Sequence, residues 1–333
     1  MGFSNLGQAF TAKEILELVH DDLRKVEREL AQESLSGVDS VTNISRYLQS
    51  SGGKRLRPML LLLTARLAGR TDDEAVRLAA VVEMIHTATL VHDDVIDVAE
   101  TRRGKPSANV IWGNHTCVLA GDWLYMQAFQ VALRLRNFQV LDILIALTQL
   151  MVEGELHQLE TIGKIEVTEA DYLELVHRKT ASLFSACARL GALAAGGGDA
   201  VESRVADYAW NLGMAFQLVD DVLDFTSREA VLGKPVGNDL REGKITLPLI
   251  YALEDANRDE RRKVERVLKD GSYDRVSLRE VLDVIQNHNG IDRARQRATA
   301  FTEKARGIIN TFPDSPAQRA LLAVTDLVTD RDH

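Results

Sequence analysis

Two short acidic clusters dominate the chemistry this sequence offers. The first is Asp93-Asp94-Val95-Ile96-Asp97 and the second Asp220-Asp221-Val222-Leu223-Asp224, both of the DDxxD type. On a helix the first and last carboxylates of each, four residues apart, share one face, with the second aspartate about a quarter-turn round. Aspartate is a poor helix former and like charges at this spacing repel, so such a cluster beside apolar residues needs a counter-charge. Carboxylate oxygens without neighbouring thiolates suit a hard cation such as Mg2+, which keeps several waters and bridges one or two carboxylates to a phosphate. One acidic cluster is common on a solvated helix end. Two, each trailed by a Gly-Lys-Pro tripeptide at Gly104-Lys105-Pro106 and Gly233-Lys234-Pro235, describe a site.

The cations are grouped as well. Gly52-Gly53-Lys54-Arg55-Leu56-Arg57-Pro58 is a glycine-led basic loop opening onto an apolar helix, with Pro58 suited to its first turn. Helix N-terminal N–H groups attract phosphate, and Lys54 and Arg57 would add charge-assisted hydrogen bonds, which makes the loop an anion site; a basic surface turn is the lesser alternative. Arg102 and Arg103 follow Asp97 by a short loop, within reach of the first cluster. His86 lies two helical turns before Asp93 on nearly the same face and could donate to a bound anion, although a lone helical histidine is more often a packed core residue. The segment Val176 to Phe184, with Lys179 and Thr180 before small and apolar residues, is uninformative by itself.

The elements that must carry these groups are helices. Of 333 residues 45% are apolar, only six are proline, and Ala/Leu/Glu/Arg-rich stretches replace the Val/Thr alternation of strands. Breaks fall at Gly52-Gly53, Gly69, Gly104-Pro106, Gly163, Gly196-Gly198, Gly233-Pro235 and Gly271, with no Ser/Pro-rich linker between them. The expectation is an all-α chain, one domain over residues 1–333, with ten or more helices. A net charge of −9 argues against nucleic acid as the main partner. Cys117 and Cys187 lack CxxC spacing, so neither a disulfide framework nor a zinc site is expected. The early charges Lys13, Glu14 and Asp21, and Leu6 where a myristoylation motif has Ser or Thr, point away from export or a lipid anchor and towards the cytoplasm. The purest apolar run, Met59 to Leu63, is far short of the roughly 20 residues that span a bilayer, so no integral membrane protein is expected.

Taken in order, GGKRLRP, HTATLVHDDVID with its trailing RRGKP, RKTASLF, FQLVDDVLDF and GKPVGNDLREGKITLP strongly resemble the trans-isoprenyl diphosphate synthases, the polyprenyl synthetase family. The resemblance covers roughly residues 40 to 255. It implies a deep central cavity of the isoprenoid synthase type, a homodimer, and Mg2+-dependent head-to-tail condensation of isopentenyl diphosphate with an allylic primer. The primer would be dimethylallyl, geranyl, farnesyl or geranylgeranyl diphosphate. It implies further that Asp93, Asp94, Asp97, Asp220, Asp221 and Asp224 hold two or three Mg2+ ions against the allylic diphosphate, with Arg102, Lys179, Lys234 and Lys244 also contacting its phosphates. Lys54, Arg57, His86 and Arg103 would hold isopentenyl diphosphate, and Thr180 and Gln217 would face the allylic cation. Where short-chain members of the family carry bulky aromatics, one turn before Asp93, this chain has Ala88 and Thr89. A product longer than C20 follows from that gap, with Met84, Val81 or residues of the Asp122 to Met151 helices as its floor.

Other readings compete. A short-chain synthase would need another helix to plug the tunnel. Glu83-Met84-Ile85-His86 and Glu174-Leu175-Val176-His177 are Glu-x-x-His motifs of the kind di-iron bundles use. A terpene cyclase uses one aspartate-rich helix but no second diphosphate pocket, and a non-catalytic synthase subunit usually lacks one of the two acidic motifs.

Overall fold

The computed structural model describes residues 12–50, 53, 55–227 and 236–329. Lys54 and Lys234, two of the expected phosphate contacts, lie outside the described residues.

The expectation of an all-α chain is met. Two long helices carry the acidic clusters at their C-terminal ends. One, α4 (Asp73–Ile96), starts where the Asp72 side chain accepts from the N–H groups of Glu74 and Ala75, with Asp73 and Glu74 against the positive end of the helix dipole. The other, α10 (Gly198–Thr226), runs 29 residues and buries Leu212, Met214, Leu218 and Val222 as it approaches Asp224.

Around them in chain order come α1 (Ala12–Glu33), α2 (Asp39–Ser50), α3 (Leu56–Ala68), α5 (Ala108–Trp112), α6 (Asn114–Leu133), α7 (Phe138–Thr161), α8 (Glu169–Val176) and α9 (Ser182–Ala194). After α10 follow α11 (Asn238–Arg241), α12 (Leu247–Asp255), α13 (Arg258–Asp270), α14 (Leu278–Asn287), α15 (Gly290–Ile309) and α16 (Pro316–Thr329). Helix α4 packs against α3, α6 and α9, and α10 against α9, α15 and α16, so α9 is the common wall between the two acid-bearing helices. Two of the anticipated breaks cap helices: Gly69 ends α3, and Gly271 ends α13 in the left-handed region at φ 60°.

Helix α4 is long and apolar enough to cross a bilayer by length and composition, which the run Met59 to Leu63 did not suggest. Within this fold 72% of that apolar window is buried against neighbouring helices, so its hydrophobicity serves the core.

Two local features escaped the sequence reading. The loop after Asp97 is a hairpin, β1 (Thr101–Arg102) pairing antiparallel with β2 (Lys105–Pro106). Arg103 (φ 52°) and Gly104 (φ 73°) form its two-residue tip, and positive φ at both positions matches the twist of the paired strands. Between α8 and α9 the chain does not stop: His177–Ala181 forms one π-helical turn, closed by the Ser182 N–H donating to the His177 carbonyl. Such turns are rare and often sit at functional sites.

Candidate active site

A cavity of about 610 Å³ opens between α4, α6 and α7, with the π-turn and α10 at its upper end. Asp93 from the first acidic cluster and Asp220 from the second both line it. A smaller cavity of about 210 Å³ lies alongside; Lys179, Thr180, Gln217 and Asp220 line both and form the partition. The two clusters, far apart in sequence, therefore meet at one place.

Their six carboxylates are not equivalent. Burial pushes Asp93 up to about 6, against the opposing pull of Lys179. Asp97 accepts from Lys244 Nζ at 3.0 Å, and the same ammonium donates to Glu242 at 2.7 Å. Burial opposes the charge of Lys244, but Asp97 and Glu242 together hold it above its ordinary value. Asp94 is fully buried and accepts from Arg102 Nε at 2.6 Å. Asp221 accepts from the Tyr172 hydroxyl at 2.5 Å and from Gln217 Nε2 at 2.8 Å. Asp224 is fully buried and accepts from the Asp239 N–H at 3.3 Å.

The six aspartates expected to hold metal have different surroundings. Asp94 lies a quarter-turn from Asp93 and turns to the hairpin arginine. Asp224 does share the face of Asp220, but the segment Gly237–Asp239 folds across it, with the Gly237 N–H also donating to the Asp224 carbonyl. Among the described residues, no group of three or more His, Cys, Asp or Glu side chains stands close enough to hold a metal unaided. Oxygen donors from both helix ends nonetheless fit a hard cation whose coordination is completed by phosphate and water.

The expected cations gather beside this site. Arg57 Nη1 lies 3.1 Å from His86 Nε2; a guanidinium only donates, so that nitrogen accepts and the imidazole is neutral. Burial first, and then the surrounding Arg57, Arg103, Arg102 and Arg55, keep His86 well below its ordinary pKa. Arg57 also lies over the Phe184 ring, 5.4 Å from its centroid. Arg103 packs against the basic loop, since a Cβ on Gly53 would lie 3.1 Å from its Nη1. Arg55 is held by Glu27 at 2.5 Å and Glu83 at 2.7 Å. Arg102 lines the large cavity while engaged by Asp94, so its expected role with the allylic phosphates competes with that ion pair.

On the partition, Lys179 Nζ lies 2.5 Å from Glu155 and donates to Gln158 Oε1 at 3.1 Å. Thr180 donates to Gln217 Oε1 at 2.9 Å, extending the chain that runs through Gln217 and Asp221 to Tyr172. Glu155, Gln158, Tyr172 and Asp239 were missed from sequence. They stand singly on helices or just past a loop, and no spacing marks them.

Of the two expected wall residues, Thr89 lines the cavity, whereas Ala88 is fully buried in the core and is no part of the lining. Met84 and Val81 are likewise core residues, while Tyr125 of α6 and Met151 of α7 do line the cavity. The Glu-x-x-His motifs do not converge. Glu83 holds Arg55, Glu174 accepts from Arg178 at 2.6 Å, and His177 Nδ1 accepts from Trp210 Nε1 at 2.8 Å.

Carboxylates from two helix ends and guanidinium groups around one largely apolar cavity mark the class, an all-helical transferase acting on apolar diphosphate esters. The profile of the polyprenyl synthetase family matches residues 38–285. The octaprenyl diphosphate synthase of Haemophilus influenzae is 38% identical over 320 residues, 96% of this chain and 97% of that protein. A decaprenyl diphosphate synthase structure from Rhodobacter capsulatus superposes with a TM-score of 0.91 at 36% identity, covering 96% of this chain and 99% of that one. A polyprenyl synthase from Caulobacter crescentus, solved with calcium and isoprenyl diphosphate, gives a TM-score of 0.93 at 35% identity over 98% of this chain and 100% of that one. This chain belongs to the polyprenyl synthetase family and is a prenyltransferase.

Proposed function

We propose that this enzyme condenses isopentenyl diphosphate head to tail with an allylic prenyl diphosphate and releases a trans-polyprenyl diphosphate longer than C20. The observation that carries the reading is the opening of Asp93 and Asp220 onto one cavity whose walls also include Thr89, Leu90, Met151, Leu156 and Leu183. Likeness to octaprenyl and decaprenyl diphosphate synthases supports the long product.

In this reading Asp93, Asp97 and Asp220 hold two or three Mg2+ ions, while Asp94, Asp221 and Asp224 orient their neighbours. Bound Mg2+ supplies positive charge to the leaving diphosphate. Lys179 and Lys244 add to that charge at the allylic phosphates, and Arg57, Arg103 and neutral His86 hold the isopentenyl diphosphate. The allylic C–O bond breaks with its electron pair leaving on diphosphate, and the alkene of isopentenyl diphosphate closes the new C–C bond. A proton then departs to the released diphosphate. Thr180 spends its hydrogen on Gln217, which leaves the lone pairs of its hydroxyl as the negative end available to the transient cation. The apolar walls keep water from that cation.

The same reading makes the whole chain one domain and two copies the working unit. Leu119, Met126 and Leu133 on α6 and Phe138, Ile145, Val152 and Leu159 on α7 are exposed at seven-residue intervals, a stripe suited to a second helix pair. A reducing cytoplasm fits the buried free thiols of Cys117 and Cys187.

Incubation with labelled isopentenyl diphosphate, Mg2+ and each primer in turn tests the proposal. Elongation past C20 is the expected result. Products that stop at one or two additions, or cyclic hydrocarbons, would overturn it.

A further inference from the structure

We infer that Gly154 and Gly213 are positioning residues: by letting α7 and α10 close onto the π-turn at His177–Ala181, they set how far Lys179 and Thr180 reach into the cavity. The inference deepens the proposed function and rests on its reading of those two side chains.

A π-turn holds one residue more than an α-turn, so it rotates the side chains beyond it by about 100° relative to an uninterrupted helix. That local geometry is held by packing. A methyl on Gly213 would lie 2.7 Å from Ala181 Cα and 3.0 Å from Phe184 Cβ. One on Gly154 would lie 2.8 Å from Arg178 Cβ and 3.2 Å from the Lys179 nitrogen. Carbon atoms in contact settle at about 3.5–4.0 Å, so in both cases the obstacle is in or next to the main chain of the π-turn and not the free end of a side chain. Glycine inside a helix is destabilising relative to alanine, and both glycines sit in helix interiors. Two such positions closing on one short stretch, Gly154 at Arg178 and Lys179 and Gly213 at Ala181 and Phe184, is the observation that calls for a reason.

The next residues on each helix supply it. Glu155 directly follows Gly154, and Gln158 comes one turn later; these two hold Lys179 at 2.5 and 3.1 Å. Gln217 stands one turn after Gly213 and accepts from Thr180 at 2.9 Å. Each helix thus brings a glycine to make the approach and a polar side chain to fix the aim. An added methyl pushes the π-turn away from its own partner helix, and Lys179 and Thr180 move with it. Misplacement of a reacting contact by ~1 Å costs on the order of 100-fold in rate.

Gly191 provides the control. It makes a still closer approach between α9 and α3, where a methyl would meet Leu61 O, Thr64 Oγ1 and the Ala65 nitrogen and no group of the site.

The experiment compares Gly154→Ala, Gly213→Ala and Gly191→Ala for melting temperature, kcat per folded molecule and KM for isopentenyl diphosphate, with Lys179→Ala alongside. All three glycine variants should melt lower. Only Gly154→Ala and Gly213→Ala should lose kcat, by about 10- to 100-fold, with KM for isopentenyl diphosphate within threefold. Folded Gly154→Ala and Gly213→Ala chains that keep kcat within threefold would overturn the inference. So would an equal loss of kcat per folded molecule in Gly191→Ala, or failure of both site variants to fold while Gly191→Ala folds, since the glycines would then serve packing alone. Normal turnover in Lys179→Ala would instead sink the reading of the site, whatever the glycine variants do.

Discussion

The Tyr172 hydroxyl donates to Asp221 Oδ2 at 2.5 Å, and through that carboxylate it is tied to Gln217 and then to Thr180. Asp221 is nearly inaccessible, and burial, followed by the nearby Asp239, raises its pKa well above the ordinary value. Asp221 thus links Tyr172 to the partition between the two cavities through Gln217 and Thr180.

Tyr172→Phe should therefore act through orientation. Leaving a buried carboxylate one donor short costs about 1–3 kcal/mol of stability. Turnover should fall roughly tenfold, and the loss should be less than additive with that of Thr180→Ala, because both substitutions break one chain. Strictly additive losses in the double variant would show that the chain is not a functional unit.

Asp93 makes the stability of the metal-free protein sensitive to pH. Its folded pKa of about 6 lies above the ordinary 3.8, so the folded state binds the extra proton. The resulting stability is fully present below about pH 4 and is lost as pH rises through about 6. Asp94 and Asp221, both raised chiefly by burial, act in the same direction. Without metal, the Asp93 contribution should fall away between about pH 4 and 6, and Asp93→Asn should flatten that part of the profile. Mg2+ with inorganic diphosphate should raise the melting temperature more at pH 7.5 than at pH 5. A ligand-induced shift independent of pH would contradict this account.

Removing either cavity-facing aspartate should disable the chemistry while sparing the fold. Asp93→Ala and Asp220→Ala are each expected to lower kcat by at least 100-fold, with melting temperatures within a few degrees of the parent's, because both side chains line the cavity and do not fill the packed core. Turnover near the parent's in either variant would remove that residue from the site.

The tunnel wall gives a paired test. Thr89 lines the cavity, so Thr89→Phe should shorten the product by placing a ring in the channel. Ala88 is fully buried in the core, so Ala88→Phe overpacks it at a cost of about 1–3 kcal/mol. Chromatography of the polyprenyl products separates the two. An unchanged chain length in Thr89→Phe would move the wall to other residues.

The exposed stripe on α6 and α7 should hold two copies together. Met126 is 69% exposed and Phe138 79% exposed in the single chain. Met126→Glu with Phe138→Glu should convert a dimer to monomer in sedimentation at micromolar concentration. A double variant that sediments like the parent would assign the stripe elsewhere.

Much of this protein was legible in one dimension. The two acidic clusters, the basic loop and the helix-rich composition each follow from spacing and propensity, which are local properties, and their order in the chain carries the family resemblance. The separation of Asp93 from Asp94 is also local, since a quarter-turn of helix turns one to the cavity and the other inward.

Other features depend on what packs against what. Asp224 shares a face with Asp220 yet is buried, because Gly237–Asp239 folds over it. Thr89 and Ala88 are adjacent small residues, and only the position of α6 and α7 makes one a wall and the other core. The π-turn that aims Lys179 and Thr180 exists because Gly154 and Gly213 admit it from neighbouring helices. Periodicity says which residues share a face of a helix, but which face meets the cavity is settled by contacts between segments distant in sequence, and those have no signature in the spacing of either one.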